Sequence, residues 1–139
     1  MRALMVTTAL VISAFGAQID WVKNYKEAGE KALREHKNVL VVITTESCRW
    51  CRRFEATTLQ DAAVVSRINA RFAAVHVTRG RDDYPAELEA KMVPMSYFLL
   101  PDGTVLYGMP GFWDTEDYLS ILDDAEKKAA RLAGSKEKQ

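Results

Sequence analysis

A run of five apolar residues, Val39-Leu40-Val41-Val42-Ile43, leads within a few positions into Ser47-Cys48-Arg49-Trp50-Cys51-Arg52, which holds the only two cysteines of the chain. The run is mostly β-branched and reads as a central strand covered on both faces. A Cys-X-X-Cys placed where such a strand ends and a helix begins points to redox chemistry. It also restricts the fold to one in which a buried sheet delivers a dithiol to a helix start.

The spacing has a geometric meaning. Residues three apart on a regular helical turn have Cβ atoms ~5–6 Å apart. A disulfide wants them at ~3.5–4.5 Å, so the bond closes at a distortable first turn and keeps some strain that favours exchange. Cys48 faces the unpaired N–H groups of the helix start, whose partial positive charge favours thiolate over thiol. Arg49 and Arg52 push the same way. Cys48 is therefore expected to be the attacking nucleophile and Cys51 the resolving thiol.

The chain has 139 residues, 48% of them hydrophobic, enough for one ordinary core. Lys+Arg and Asp+Glu number 19 each, a balance that gives no reason to expect a nucleic-acid partner. His36 and His76 lie outside any Cys₂His₂ zinc spacing, so no metal is expected. Met1-Arg2, the apolar stretch from Ala3 to Ala17 and the small residues of Ala14-Phe15-Gly16-Ala17 match a secretory signal over residues 1–17. An uncleaved anchor and a hydrophobic first helix are the alternatives. Export fits a dithiol that cycles through its disulfide form.

Along the rest of the chain, Trp21, Tyr25, Ala28 and Ala32 predict a helix from Asp20, as N-cap, to about His36. The cysteine-bearing helix follows, then a helix capped by Asp61 and a strand over Ala73–Thr78. A short helix is expected with Pro85 in its first turn. Pro94 precedes a strand at Ser96–Leu100. Pro101-Asp102-Gly103 turns the chain into an antiparallel partner at Thr104–Gly108. A last helix, capped by Asp114, is expected to end at Gly134, with a solvated tail over 135–139. Residues 18–134 thus read as a single α/β domain.

This order resembles the thioredoxin superfamily over about Asp20 to Lys128. It is most similar to exported thioredoxin-like domains related to the C-terminal domain of the membrane electron transporter DsbD. The residues that carry the resemblance are Cys48-Arg49-Trp50-Cys51 with Phe54-Glu55, Leu59-Gln60-Asp61, Asn69, Met92-Val93-Pro94, Pro101-Asp102-Gly103 and Pro110-Gly111-Phe112. The resemblance implies a three-layer α/β sandwich with a central mixed sheet flanked by helices. It implies a cis Pro94 against the sulfurs, with the Val93 backbone free to pair with an extended substrate. It implies a thiol–disulfide oxidoreductase with no cofactor beyond the Cys48–Cys51 disulfide. The direction implied is that of a protein-disulfide reductase recharged by a membrane donor. Cytochrome c maturation factors, oxidised envelope proteins and sulfur-metabolism enzymes are the implied clients. An oxidase or isomerase, or a binding module that keeps the fold, are the rival readings. The chain has no spare dimerisation segment, and a monomer is expected.

Three positions depart from the family pattern. The buried carboxylate that many members carry six positions before the first cysteine is Val42 here. Glu46 is a candidate substitute that tunes the thiols, or else a solvated charge. Ser47 and Met95 replace the familiar Trp before the cysteines and Thr after the proline. Trp50 reads equally as a partner-contact surface or as packing over the disulfide. Met92, Met95 and Met109 fit an adaptable rim, and His76 reads as a core or edge histidine.

Overall fold

The computed structural model describes residues 17–138, so the expected signal over 1–17 lies almost wholly outside the described residues. The elements follow in the order α1 (Tyr25–Glu35), β1 (Asn38–Thr44), α2 (Arg49–Ala56), a 3₁₀ turn (Thr58–Gln60), α3 (Ala62–Arg71), β2 (Phe72–Thr78), β3 (Met95–Leu99), β4 (Val105–Pro110) and α4 (Thr115–Glu137). The strands form one mixed sheet in the order β2-β1-β3-β4. β1 runs parallel to β2 and antiparallel to β3, and β3 pairs antiparallel with β4.

The apolar run of β1 explains the three layers. Alternate side chains point to opposite faces of a strand. Leu40 and Val42 join Phe54, Val64, Val65, Ile68, Tyr118 and Leu122 beneath α2, α3 and α4. Val39, Val41 and Ile43 face the other way, onto Ala28 and Ala32 of α1. From Val39 to Ile43 no side chain exceeds 3% exposure, so the strand that presents the cysteines is held from both sides. Each such aliphatic side chain contributes roughly 1.5–3 kcal/mol of burial.

Helix ends follow cap chemistry. Asp61 Oδ1 accepts from the N–H groups of Ala63 and Val64 at 2.9 and 3.2 Å, and Asp114 Oδ1 accepts from Asp117 at 2.9 Å, both as expected. α1 departs from expectation. Its cap is Asn24, whose Oδ1 accepts from Glu27 N–H at 2.9 Å. The reason lies in the sheet, because Val22 is drawn into a bridge with Val75 and its N–H donates to Ala74 at 2.9 Å. Asp20 instead pairs with Lys31 at 3.0 Å, and its N–H donates to Asn69 Oδ1 at 2.8 Å.

The short helix expected at Pro85 does not form. One turn bond, Leu88 N–H to Pro85 O at 3.0 Å, is followed by an irregular, bent segment that buries Leu88 and Ala90 and hands the Ala90 carbonyl to Arg79. At the other end α4 runs through Gly134 to Glu137. A Cβ on Gly134 would meet nothing within 4 Å, so this glycine is simply a weak helix residue in solvent. Residues 135–138 are exposed, as the last turn of the helix rather than as an unstructured tail. In β4, Gly108 is required by close packing, since a Cβ there would lie 2.7 Å from Tyr97 Cε1.

Candidate active site

β1 ends at Thr44, and the loop of residues 45–47 carries the chain to Cys48, the N-cap of α2. Cys48 and Cys51 are joined as a disulfide with their Cα atoms 5.2 Å apart. The Cys51 N–H donates to Cys48 Sγ at 3.1 Å. That donor, with the dipole of the helix start behind it, favours negative charge on the Cys48 sulfur once the bond opens. The two sulfurs are not equivalent. Cys48 is partly exposed, whereas Cys51 is fully buried.

The second wall of the site comes from the loop before β3. The Val93–Pro94 peptide is cis, as the resemblance implied. The carbonyl oxygen of Val93 lies 3.8 Å from Cys48 Sγ, and the Val93 N–H and C=O take part in no backbone–backbone hydrogen bond among the described residues. Pro94 O instead accepts from Gly111 N–H at 2.7 Å, which ties the loop to the chain beyond β4.

Trp50 is 47% exposed. Its ring tilts against Phe112 at 5.9 Å between centroids, and Phe112 stands edge-on to Phe54 at 6.0 Å. Trp50, Met92, Val93, Gly111 and Phe112 line an open apolar groove of about 510 Å³ beside the disulfide. Met92 therefore joins the rim, while Met95 lies buried at the start of β3. Under the site, Phe54 packs edge-to-face on Tyr118 at 5.1 Å, and the Tyr118 hydroxyl meets Ser96 Oγ at 3.0 Å. Burial pushes the Tyr118 phenol well above its ordinary range, so it stays neutral.

The proposed thiol-tuning residues separate. Arg49 flanks Cys48 on the first turn of α2, and its guanidinium lies 5.5 Å from the Trp50 ring centroid. Glu46 is exposed and reaches Arg81 at 3.5 Å, an ion pair in solvent. Val42 lines a cavity of about 190 Å³ together with Trp21, Glu55 and His76. Sequence reading did not single out the Glu55–His76 pair as part of one cluster. His76 Nε2 lies 2.7 Å from Thr44 Oγ1 and 3.2 Å from Glu55 Oε1. The clue available was Glu55 four residues after Cys51, on the same helix face.

Burial lowers the His76 pKa below the ordinary imidazole value. The carboxylates of Glu55 and Asp82 oppose that shift, and Arg81 and Arg52 add to it. Between the folded and unfolded pKa the unfolded chain binds more protons, so stability rises with pH in that window. The contribution is fully present above about pH 6.5 and is lost as the pH falls below it. In His76→Asn the fall in Tm between pH 7 and 5 is expected to be shallower than in the parent protein. Parallel Tm curves would show that His76 titrates alike in both states.

Comparison with known proteins places these features in context. The family described as "Thioredoxin-like domain" matches residues 25–126. An uncharacterized Caenorhabditis elegans protein is 31% identical over 93 residues, which cover 60% of this chain and 13% of that protein. The chain thus spans a small fraction of that relative's length. Among solved structures, the DsbH oxidoreductase superposes with a TM-score of 0.66 at 20% identity, covering 91% of this chain and 95% of that one. The C-terminal domain of Neisseria meningitidis DsbD, in its reduced form, gives 0.57 at 24% identity, covering 72% and 92%.

Proposed function

The chain belongs to the thioredoxin-like domain family, and on that footing we propose that it is an exported thiol–disulfide oxidoreductase that reduces disulfides of envelope proteins with electrons from a membrane donor. The observation that carries the chemistry is the inequality of the two sulfurs. Cys48 is reachable and accepts the Cys51 N–H at 3.1 Å, while Cys51 is shut from solvent. In the reduced protein, the Cys48 thiolate attacks one sulfur of a client disulfide, and the other client sulfur leaves as a thiolate. Cys51 then attacks Cys48, expelling the second client thiolate and closing the Cys48–Cys51 bond. Two electrons pass to the client, and the two thiol protons of the protein end on the client thiols. The Val93 backbone is free to hold an extended client segment beside Cys48 in the manner of an added strand.

Export rests on the N-terminal sequence, Met1-Arg2 followed by an apolar run and small residues. Among the described residues no helix is long and apolar enough to cross a membrane. A membrane donor is supported by the likeness of fold to the DsbD C-terminal domain. Pro94 and Trp50 complete the client-facing surface, with Arg49 as the residue that favours the Cys48 thiolate. Glu46, paired with Arg81, has at most an indirect part in tuning it.

One observation favours an oxidant instead. Arg49 has no carboxylate within 4.0 Å among the described residues, and a cation beside Cys48 stabilises the reduced form. Equilibration of the mature protein against defined thiol–disulfide buffers decides between the two. A potential near about −270 mV is expected for a reductase, and one near about −120 mV would reverse the direction.

A further inference from the structure

Three observations meet at the first two turns of α2. The exposed side chains of Trp50 and Met92 and the partly buried ring of Phe112 leave an apolar groove beside the disulfide. The guanidiniums of Arg49 and Arg53 lie 5.5 and 5.6 Å from the Trp50 ring centroid, and Arg53 also lies 5.6 Å from that of Phe112. Among the described residues, the arginines with a carboxylate within 4.0 Å are Arg67, Arg71 and Arg81, so neither Arg49 nor Arg53 has one.

A guanidinium over a ring is held by the ring face while its N–H edge stays open to a planar acceptor. Two such groups are partly ordered before anything binds, which reduces the entropy lost when a carboxylate docks. The chain as a whole carries equal numbers of acidic and basic residues, so the positive field here belongs to this rim and not to the protein at large.

We propose that this rim selects its clients: an extended protein segment whose disulfide cysteine is flanked by a bulky apolar residue, seated in the groove, and by acidic residues paired with Arg49 and Arg53. The inference rests on the oxidoreductase reading above and adds the client's local chemistry to it. Val93 supplies the backbone pairing, the groove takes the apolar side chain, and the two arginines read the charge. Transfer itself proceeds as already described, with the dithiol oxidised and the client disulfide reduced to two thiols.

The test uses two disulfide-linked synthetic peptides with leucine before the cysteine, one followed by Glu-Glu and the other by Lys-Lys. Each is mixed without oxygen with the pre-reduced protein, and single-turnover rates are read by acid quench and mass spectrometry. At low salt the acidic peptide should react about tenfold faster or more, and 0.5 M salt should shrink the ratio by screening. Arg49→Gln/Arg53→Gln should bring the ratio near one, Arg49→Glu/Arg53→Glu should invert it, and Arg34→Glu on α1, across the sheet, should leave it unchanged. Equal rates for both peptides in the parent protein overturn the proposal while leaving the oxidoreductase reading intact. Reduction of neither peptide overturns that reading, and the rim is then judged by binding of serine analogues to the disulfide form. Preferential, salt-sensitive binding of the acidic analogue upholds the proposal, and equal binding overturns it. Co-sedimentation with phosphatidylglycerol vesicles that the acidic peptide does not compete away also overturns it, in favour of a lipid surface.

Discussion

Cys51→Ser is expected to convert the protein from a turnover catalyst into a trap. The client attacks remain possible, because Cys48 keeps its exposure and its place at the helix start. Release does not, because the serine hydroxyl cannot displace the client from Cys48. Steady-state disulfide reduction should fall by a factor on the order of 10³ or more, with the client accumulating as a covalent adduct on Cys48. Cys48→Ser should lose the activity without the adduct, since Cys51 is fully buried and cannot reach a client. Intact-mass measurement after incubation with a client disulfide separates the two. Undiminished turnover by Cys51→Ser would assign resolution to a thiol outside this pair.

The largest expected loss of stability comes from Phe54→Ala. Phe54 is fully buried on α2 and meets Phe112 and Tyr118 edge-on, at 6.0 and 5.1 Å between centroids. It lies one turn after Trp50 and three residues after Cys51, so the same side chain seats the helix and braces the aromatic wall of the groove. Truncation removes the ring contacts and leaves a cavity between helices, which together cost about 3–5 kcal/mol. Urea unfolding should show a lower midpoint at an unchanged slope. Phe54→Leu, which fills much of the space, should recover more than half of the loss. A fall of less than about 1 kcal/mol in Phe54→Ala would mean that the helix is held elsewhere.

The parts of the fold that could be read ahead were those whose local chemistry and tertiary role agree. Val39–Ile43 is apolar at every position because both faces of β1 are covered, and Asp61 and Asp114 cap helices because their side chains accept from the turns that follow. The misread segments were settled by distant partners. Trp21 fits a helical period with Tyr25, Ala28 and Ala32, yet the edge of β2 claims its neighbour Val22, and the helix starts later. Pro85 suits a helix start, but the chain that buries Leu88 and Ala90 follows a turn and a series of bends instead. Gly134 marks a helix end only where a turn must follow, and none does.

At the site, the cysteine pair was legible because its spacing is itself the chemistry, whereas the cis Pro94 came only with the resemblance to the thioredoxin superfamily. The stacking of Arg49 and Arg53 on Trp50 was not, since it needs Phe112 to arrive from beyond β4 before the rings form a surface. Likewise the Glu55–His76 contact joins a helix to a strand 21 positions away in the chain, as Glu55 and His76 number.

Full burial of Cys51 has a consequence for how this protein can change over time. Whatever oxidises the sulfur pair and whatever reduces it must both arrive at Cys48, one after the other and through the same opening. On the function proposed above, two partners with opposite roles would therefore press against one shared patch of side chains. Under the client selection proposed above, a substitution that refits Trp50 or its arginines to a new client also refits them to the source of electrons, and the two specificities would then evolve together.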